Sequence, residues 1–481
     1  MNLTLSNSLN ENIDYLKRTF PLGISFDLIT RELYLGKTKA FWMGVNGFCK
    51  VEILQQIFAD LQNPTYTEDD YVENIALYMN SKLGYAQTSL CSDWNVIIRN
   101  LSSGPSVLFI DGFAQAIIID VRTYPTRGME EPDTEKVTRG SRDGFVETLL
   151  FNTNLIRRRI RSPKLTFEIQ NIGTASQTDV AVAYVGGLAE PELINKIKSA
   201  IAKLSVTSLT MGVKSLEELL IKKSWLHPLP SIQSTERPDV ACSYLMEGYI
   251  LLIVDNSPAV MILPCNIFQF TQSPEDYYKS PMVGGYFRLM RFGCIIISLI
   301  LMPLLLLLGA YFPDFSNSIN LFSSSDLSPT ELIFYIVAVE FILDLFKYST
   351  SLSSSHFSSS LSIIGGLIIG DIAVRLNWAS IEVLFYAAVT LLATLSLPSI
   401  EFSDGIRVYR LFLIIFTALW GLTGFIAGFL LILISVATTP TFSKLSYLWP
   451  LIPFRWSALK KLIFRSPTTK SQPSATWKRP C

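Results

Sequence analysis

The sequence predicts a multidomain membrane protein, in which a cytosolic α/β region of two subdomains leads into an all-α polytopic membrane domain. Three observations carry this expectation. Of the 481 residues 49% are hydrophobic and only 17% charged, and the mean hydropathy of +0.35 lies outside the usual soluble range. Charge is scarce between Tyr286 and Pro440, whereas the stretch after Pro440 carries eight Lys/Arg and no Asp or Glu. Finally, an uncharged apolar run follows Arg291, long enough to cross about 30 Å of hydrocarbon.

The predicted domains are residues 1–122 and 123–283 (cytosolic subdomains), 284–440 (membrane domain of four to six segments) and 441–481 (basic tail). The opening "MNLTLSNSLNENIDYLKRTF" has no basic stretch ahead of an apolar core, so no secretory signal is expected and the first half is placed in the cytosol. Lys+Arg and Asp+Glu both number 40, which excludes a global electrostatic case for nucleic acid. Six cysteines without CxxC spacing fit a reduced compartment and argue against a zinc site or disulfide scaffold. With only His227 and His356, multi-histidine metal binding and histidine general-base chemistry have little material.

Helical periodicity marks Glu68 to Leu83 and Leu188 to Leu204, where apolar residues recur at three and four. Two apolar runs around Asp111-Gly112 (Ser106 to Val121), and two around Asp255-Asn256 (Gly248 to Pro264), predict β-hairpins roughly 140 residues apart. They fit either two related subdomains or two unrelated hairpins.

Between the hairpins, Arg127, Arg139, Arg142, Arg157, Arg158, Arg159 and Arg161 interleave with Glu130, Glu131, Asp133, Glu135, Asp143 and Glu147. A nucleic-acid surface needs uncompensated charge and stacking aromatics, and this mixture nearly neutralises itself. A salt-bridged framework or subunit contact, through Arg127, Arg139, Arg142, Asp143, Arg157, Arg158 and Arg159, is the first expectation, since the guanidinium fork suits carboxylates. An anion or ligand site is the alternative.

The strongest predicted span is Tyr286 to Phe312. Arg288 and Arg291 at its start, and a Lys/Arg-free loop after it, place the N-terminal region inside. Apolar segments at 331–349, 382–397 and 410–436 follow. Leu361 to Leu376 is shorter, about 24 Å as a helix, and fits a short tilted helix or a re-entrant segment. Gly366/Gly370 and Gly424/Gly428 are GxxxG pairs, for which helix packing is the default. Orientation closes only if the stretch from Leu411 to Val436 turns back near Gly421 or Gly424, because Arg407, Arg410 and the basic tail all favour the inside face.

Glu340 and Asp344 share one helical face, with Lys347 three residues on. Intramembrane charges need protein partners or water, so Glu340 belongs either to a structural ion pair or to an ion pathway. Asp371 is either at a pore mouth or a plain interfacial residue. Enzymatic motifs are missing from the sequence: there is no GxxxxGK[ST], GxSxG or HExxH, and Gly186-Gly187 has neither the spacing nor the setting of a nucleotide loop. No enzyme activity and no cofactor are expected. A secondary transporter would show paired broken helices in two halves, and one strong candidate is visible.

Several strings resemble the GerA-type family of spore germinant receptor proteins: "SFDLITREL", the arginine stretch from Tyr124 to Leu165, "STERPDV", "LMEGYILLIVDNSPAVMILP", "SPEDYY", "FRLMRF" and "YLWPLIPF". They span nearly the whole chain. The resemblance implies a multi-pass protein of the spore inner membrane. It also implies an oligomeric, pentameric ion channel that releases monovalent cations in germination alongside other membrane subunits, without nucleic acid. It places Ser362, Gly365, Gly366, Ile369, Gly370 and Asp371 along the pore. Family members commonly carry a neutral amide where Asp371 stands, and a carboxylate ring would favour cations. The alternative is a non-conducting sensor or scaffold that docks other germination membrane proteins.

Overall fold

The computed structural model describes residues 4–62, 72, 74–83, 85–124, 135–221, 225–318, 328–352, 372, 374–375, 380–442 and 446–463. They form two compact units, one from residues up to 221 together with 232–264, the other from 225–231 and 265–463.

The first unit contains two five-stranded sheets of one design. In the first, β1 (Leu28–Leu35), β2 (Thr38–Val45), β3 (Thr88–Cys91), β4 (Ser106–Ile110) and β5 (Ala116–Ile119) take the order β1-β2-β4-β5-β3. In the second, β6 (Leu165–Ile172), β7 (Thr178–Val185), β8 (Gln233–Thr235), β9 (Ile250–Val254) and β10 (Val260–Leu263) take the order β6-β7-β9-β10-β8. All these pairings are antiparallel. Helices α1 (Leu9–Thr19), α2 (Val51–Gln62), α3 (Ile75–Lys82) and α4 (Trp94–Ser103) enter the first sheet's chain order at the same points as α5 (Leu149–Arg159), α6 (Pro191–Ala202), α7 (Val213–Leu220) and α8 (Pro238–Met246) enter the second's. The two expected hairpins are thus equivalent elements. The helix expected from Leu188 is α6, and the one expected from Glu68 is α3, with residues 63–71 outside the described set.

The equivalence extends to single bonds. Asp111 Oδ1 accepts from the Leu9 amide at 2.9 Å, and Asp255 Oδ1 from the Leu149 amide at 3.0 Å, so each hairpin turn sets a carboxylate on the helix that opens its subdomain. Asn12 exchanges two hydrogen bonds with the Ser6 backbone, and Asn152 does the same with Val146. Both faces of the first sheet are covered: Phe41, Met43, Trp94 and Ile97 pack on one side, Trp42, Ile57, Leu108 and Ile110 on the other. Alternation along β2 assigns neighbouring residues to opposite cores.

The second unit is helical: α9 (Glu275–Tyr278), α10 (Pro281–Tyr311), α11 (Pro313–Ser318), α12 (Pro329–Leu352), α13 (Ile381–Leu395), α14 (Ile400–Thr438) and α15 (Trp456–Ile463). Pro281 occupies the first turn of α10, where no amide is needed, and Ser380 and Ser399 cap α13 and α14 through Val383 and Phe402. Among the described residues, two helices, Pro281–Tyr311 and Ile400–Thr438, are long and apolar enough to cross a membrane. The second is folded in half. Gly421 has φ 57° and ψ −131°, and Tyr409 Oη lies 2.7 Å from Ser435 Oγ, although a straight helix would separate them by about 39 Å. The turn expected near Gly421 or Gly424 is therefore at Gly421.

Candidate functional site: a charged seam in the helical unit

Residues 340, 344 and 347 stand on one face of α12 because a spacing of four and three follows the helical repeat. Asp404, Arg407 and Arg410, spaced by three, do the same on the first arm of α14. The two arms run antiparallel, and the charges pair rung by rung. Glu340 Oε2 meets Arg410 at 2.9 Å, Asp344 meets Arg407 at 2.5 Å, and Asp404 accepts from Lys347 at 2.5 Å. Exposure rises along the seam: the Glu340 and Arg410 side chains are 1% and 3% exposed, Asp344 27% and Asp404 52%.

Arg410 also ties in two more helices. Its Nη1 donates to the Ser298 carbonyl at 2.9 Å and lies 3.4 Å from Thr394 Oγ1, so α10, α12, α13 and α14 converge on one guanidinium. Among the described residues, Glu340 Oε1 and Arg410 Nε are buried without a hydrogen-bond partner. Breaking such a pair leaves an uncompensated charge, at a cost of about 3–5 kcal/mol.

The Gly421 turn is closed by Tyr311. A Cβ on Gly421 would sit 2.8 Å from the Tyr311 ring, whose hydroxyl donates to the Ala418 carbonyl at 2.8 Å. Gly424 is tighter: its Cβ would meet the Phe416 carbonyl oxygen at 1.9 Å, and Gly428 packs against Leu413 and Phe416. The second GxxxG pair therefore joins the two arms of one hairpin.

At the open end of the hairpin, residues 225–231 form a strap. Ser435 Oγ donates to the Leu226 carbonyl, His227 Nδ1 lies 3.1 Å from the Ser435 carbonyl, and Tyr447 donates to the Pro230 carbonyl at 2.8 Å. Gly405 admits this strap, since a Cβ there would lie 3.0 Å from the Pro228 carbonyl and 2.8 Å from the Leu229 side chain.

Arg288 and Arg291, which the sequence suggests as membrane-flanking charges, are buried at the head of α10. Arg291 grips Asp276 with both terminal nitrogens, at 2.7 and 2.5 Å, and Arg288 Nε lies 3.3 Å from the same carboxylate. The clamp explains why "SPEDYY" and "FRLMRF" occur together.

In the first unit, Arg157, Arg158 and Arg159 of the arginine stretch make contacts within the chain. Arg157, 1% exposed, pairs with fully buried Asp27 at 2.7 Å and donates to the Leu165 carbonyl, tying one subdomain to the other. Beside it, the Phe26 amide donates to the Phe167 carbonyl and the Phe167 amide to Ser25 Oγ. Arg159 grips both oxygens of Asp143, and Ser141 donates to the same carboxylate. Burial pushes the Asp143 pKa up, but those bonds outweigh it and hold the group below its ordinary 3.8. Arg158 lies over the Tyr124 ring at 4.7 Å, and Arg139 and Arg142 are exposed. Arg237, which sequence reasoning did not single out, is fully buried; it pairs with Asp239 and donates to the Glu135 and Ser141 carbonyls. Burial raises the Cys49 thiol to about 11 and Cys242 to about 12, so neither carries thiolate at neutral pH.

Arg127 and the expected pore residues Ser362, Gly365, Gly366, Ile369, Gly370 and Asp371 lie outside the described residues. The sequence named one side of the seam, Glu340, Asp344 and Lys347, and missed its partners Arg410, Arg407 and Asp404. Their matching spacing was the available signal.

The profile of the Bacillus/Clostridium GerA spore germination protein family matches residues 14–476. The chain belongs to the GerA family. Within it, the chain is 33% identical over 469 residues to stage V sporulation protein AF of Bacillus subtilis (strain 168), covering 96% of this chain and 94% of that protein. Spore germination protein KA of the same organism is 27% identical, with 96% and 85% covered, and spore germination protein B1 is 26% identical, with 97% and 96% covered. The crystal structure of the N-terminal domain of the A subunit of the Bacillus megaterium spore germinant receptor GerK3 aligns at 25% identity. That alignment covers 55% of this chain and 96% of that domain, with a TM-score of 0.42.

Proposed function

We propose that this GerA-family chain is a membrane subunit of an oligomeric channel, pentameric in assembly, that passes monovalent cations across the spore inner membrane during germination. Its N-terminal unit is cytosolic, it spans the membrane several times, and it works with other germination membrane proteins.

The observation that carries this reading is the direction of the helices on either side of the glycine-rich segment. Val383 and Ala387 pack with Met302, Leu306 and Ile336, whereas Thr394 meets Ser298 at the level of Glu340 and Arg410. Helices α12 and α13 therefore run parallel, both opposite to α10. We infer that the chain returns across the bundle between them, in the stretch whose sequence holds Ser362, Gly365, Gly366, Ile369, Gly370 and Asp371. Small residues suit the close approach of several copies around an axis, and a ring of Asp371 carboxylates favours cations. The Gly421 hairpin supports the same topology, because the arm Ile400–Trp420 measures about 31 Å at 1.5 Å per residue and its second arm returns the tail to the starting side.

A second reading, a non-conducting protein that docks other germination proteins, is favoured by one observation. The seam charges are paired with one another, as an anchoring bundle requires. Purified full-length protein in potassium-loaded liposomes separates the two. Conduction gives potassium release that Asp371→Asn makes less cation-selective; release at the rate of protein-free liposomes refutes conduction by this chain.

A further inference from the structure

We propose that residues 451–463 form a binding site for anionic phospholipid on the membrane surface. Leu451, Ile452, Phe454 and Trp456 are 42%, 53%, 65% and 61% exposed, so four large apolar side chains within six positions face outward. The Phe454 and Trp456 rings stack with centroids 6.5 Å apart. One turn beyond Trp456, Lys460 is exposed as well. The opposite side of α15 is fixed: Ala458 and Leu459 are buried, and the Leu462 carbonyl accepts from Arg288 at 3.1 Å, beside the Asp276 clamp. Among the described residues, this anchoring leaves the aromatic face unpartnered at the level where α10 begins.

Aromatic side chains with an adjacent lysine match the boundary between acyl chains and headgroups, where an apolar ring enters and an ammonium meets phosphate. Charge selects the occupant. Residues 441–481 carry eight Lys/Arg and no Asp or Glu, so two copies of this surface repel each other, whereas a phosphatidylglycerol-type leaflet attracts it. Leu451, Ile452, Phe454 and Trp456 enter the leaflet, and Lys460 pairs with the lipid phosphate. The inference rests on the membrane placement proposed above and is independent of conduction.

The test uses full-length protein in vesicles of equal parts phosphatidylcholine and phosphatidylglycerol, with bromine on the acyl chains of one lipid at a time. The Trp456→Phe variant measured in parallel isolates the Trp456 signal. Trp456 is expected to be quenched about twofold more by brominated phosphatidylglycerol, with Lys460→Glu bringing the ratio towards one. Equal quenching by the two lipids overturns the anionic preference. Unquenched Trp456, together with a smaller detergent-solubilised mass in Phe454→Ser, assigns the surface to a second copy and overturns the proposal as well. Alkaline extraction of the same vesicles keeps the premises apart: protein released by carbonate refutes the membrane placement, whereas retained protein without lipid preference refutes this site alone.

Discussion

Arg157 and Arg410 do the same physical work in the two units. Each is a buried guanidinium that pairs with a buried carboxylate and also donates to a backbone carbonyl. The planar fork makes this possible, and lysine, with one point charge, cannot reproduce it. Arg157→Lys keeps the charge but leaves buried carbonyls without their donor, so it is expected to destabilise the first unit by about 1–3 kcal/mol, read as a fall in the thermal midpoint of the purified protein. Asp143 gives a pH signature. Its folded-state pKa lies below its ordinary 3.8, so the Arg159 pair contributes stability above that value and loses it as pH falls through the lowered one. Asp143→Asn should remove that part of the acid limb below about pH 4 while lowering stability at neutral pH, in thermal unfolding measured against pH.

At the scale of elements, the seam and the hairpin make different demands. Glu340→Gln leaves Arg410 buried without a counter-charge, so the expected result is loss of detergent-stable protein, with partial rescue by a second change, Arg410→Met, that removes the stranded charge. At Gly421 any other residue must hold φ 57°, costing about 1–3 kcal/mol, and must also displace the Tyr311 ring. Gly421→Ala should therefore lower the thermal midpoint. Gly293→Ala should not, because a Cβ there meets nothing within 4 Å.

Much of this level was legible in the sequence. The hairpins at Asp111 and Asp255 announced themselves through turn residues between β-rich runs, and charge placement asked for a turn near Gly421 or Gly424. The partner of Glu340 was signalled only by the matching spacing of charges 70 residues away, and the partner of Asp27 not at all, because it lies 130 residues away and no local period connects them. Nor was the pairing of Arg288 and Arg291 with Asp276 announced by their position ahead of an apolar run.

For the whole molecule, the duplicated first unit and the folded second unit show how one GerA-family chain combines two kinds of construction. The sheet order, the helix order and the turn-to-helix bonds recur across roughly 140 residues, although the sequences between the hairpins share no evident repeat. Backbone geometry and a few capping side chains keep the design while most positions change. The helical unit is organised around its charges, with a dry pair deep in the bundle and more exposed pairs towards one end. The central claim is that the segment between α12 and α13 returns through the bundle and borders water. Substituted cysteines at Ser362, Gly366 and Ile369, treated with a membrane-impermeant thiol reagent while potassium flux is recorded from liposomes, test it most directly. A water-lined crossing predicts that the reagent modifies these cysteines and blocks the flux, whereas flux that continues with all three unmodified would contradict it.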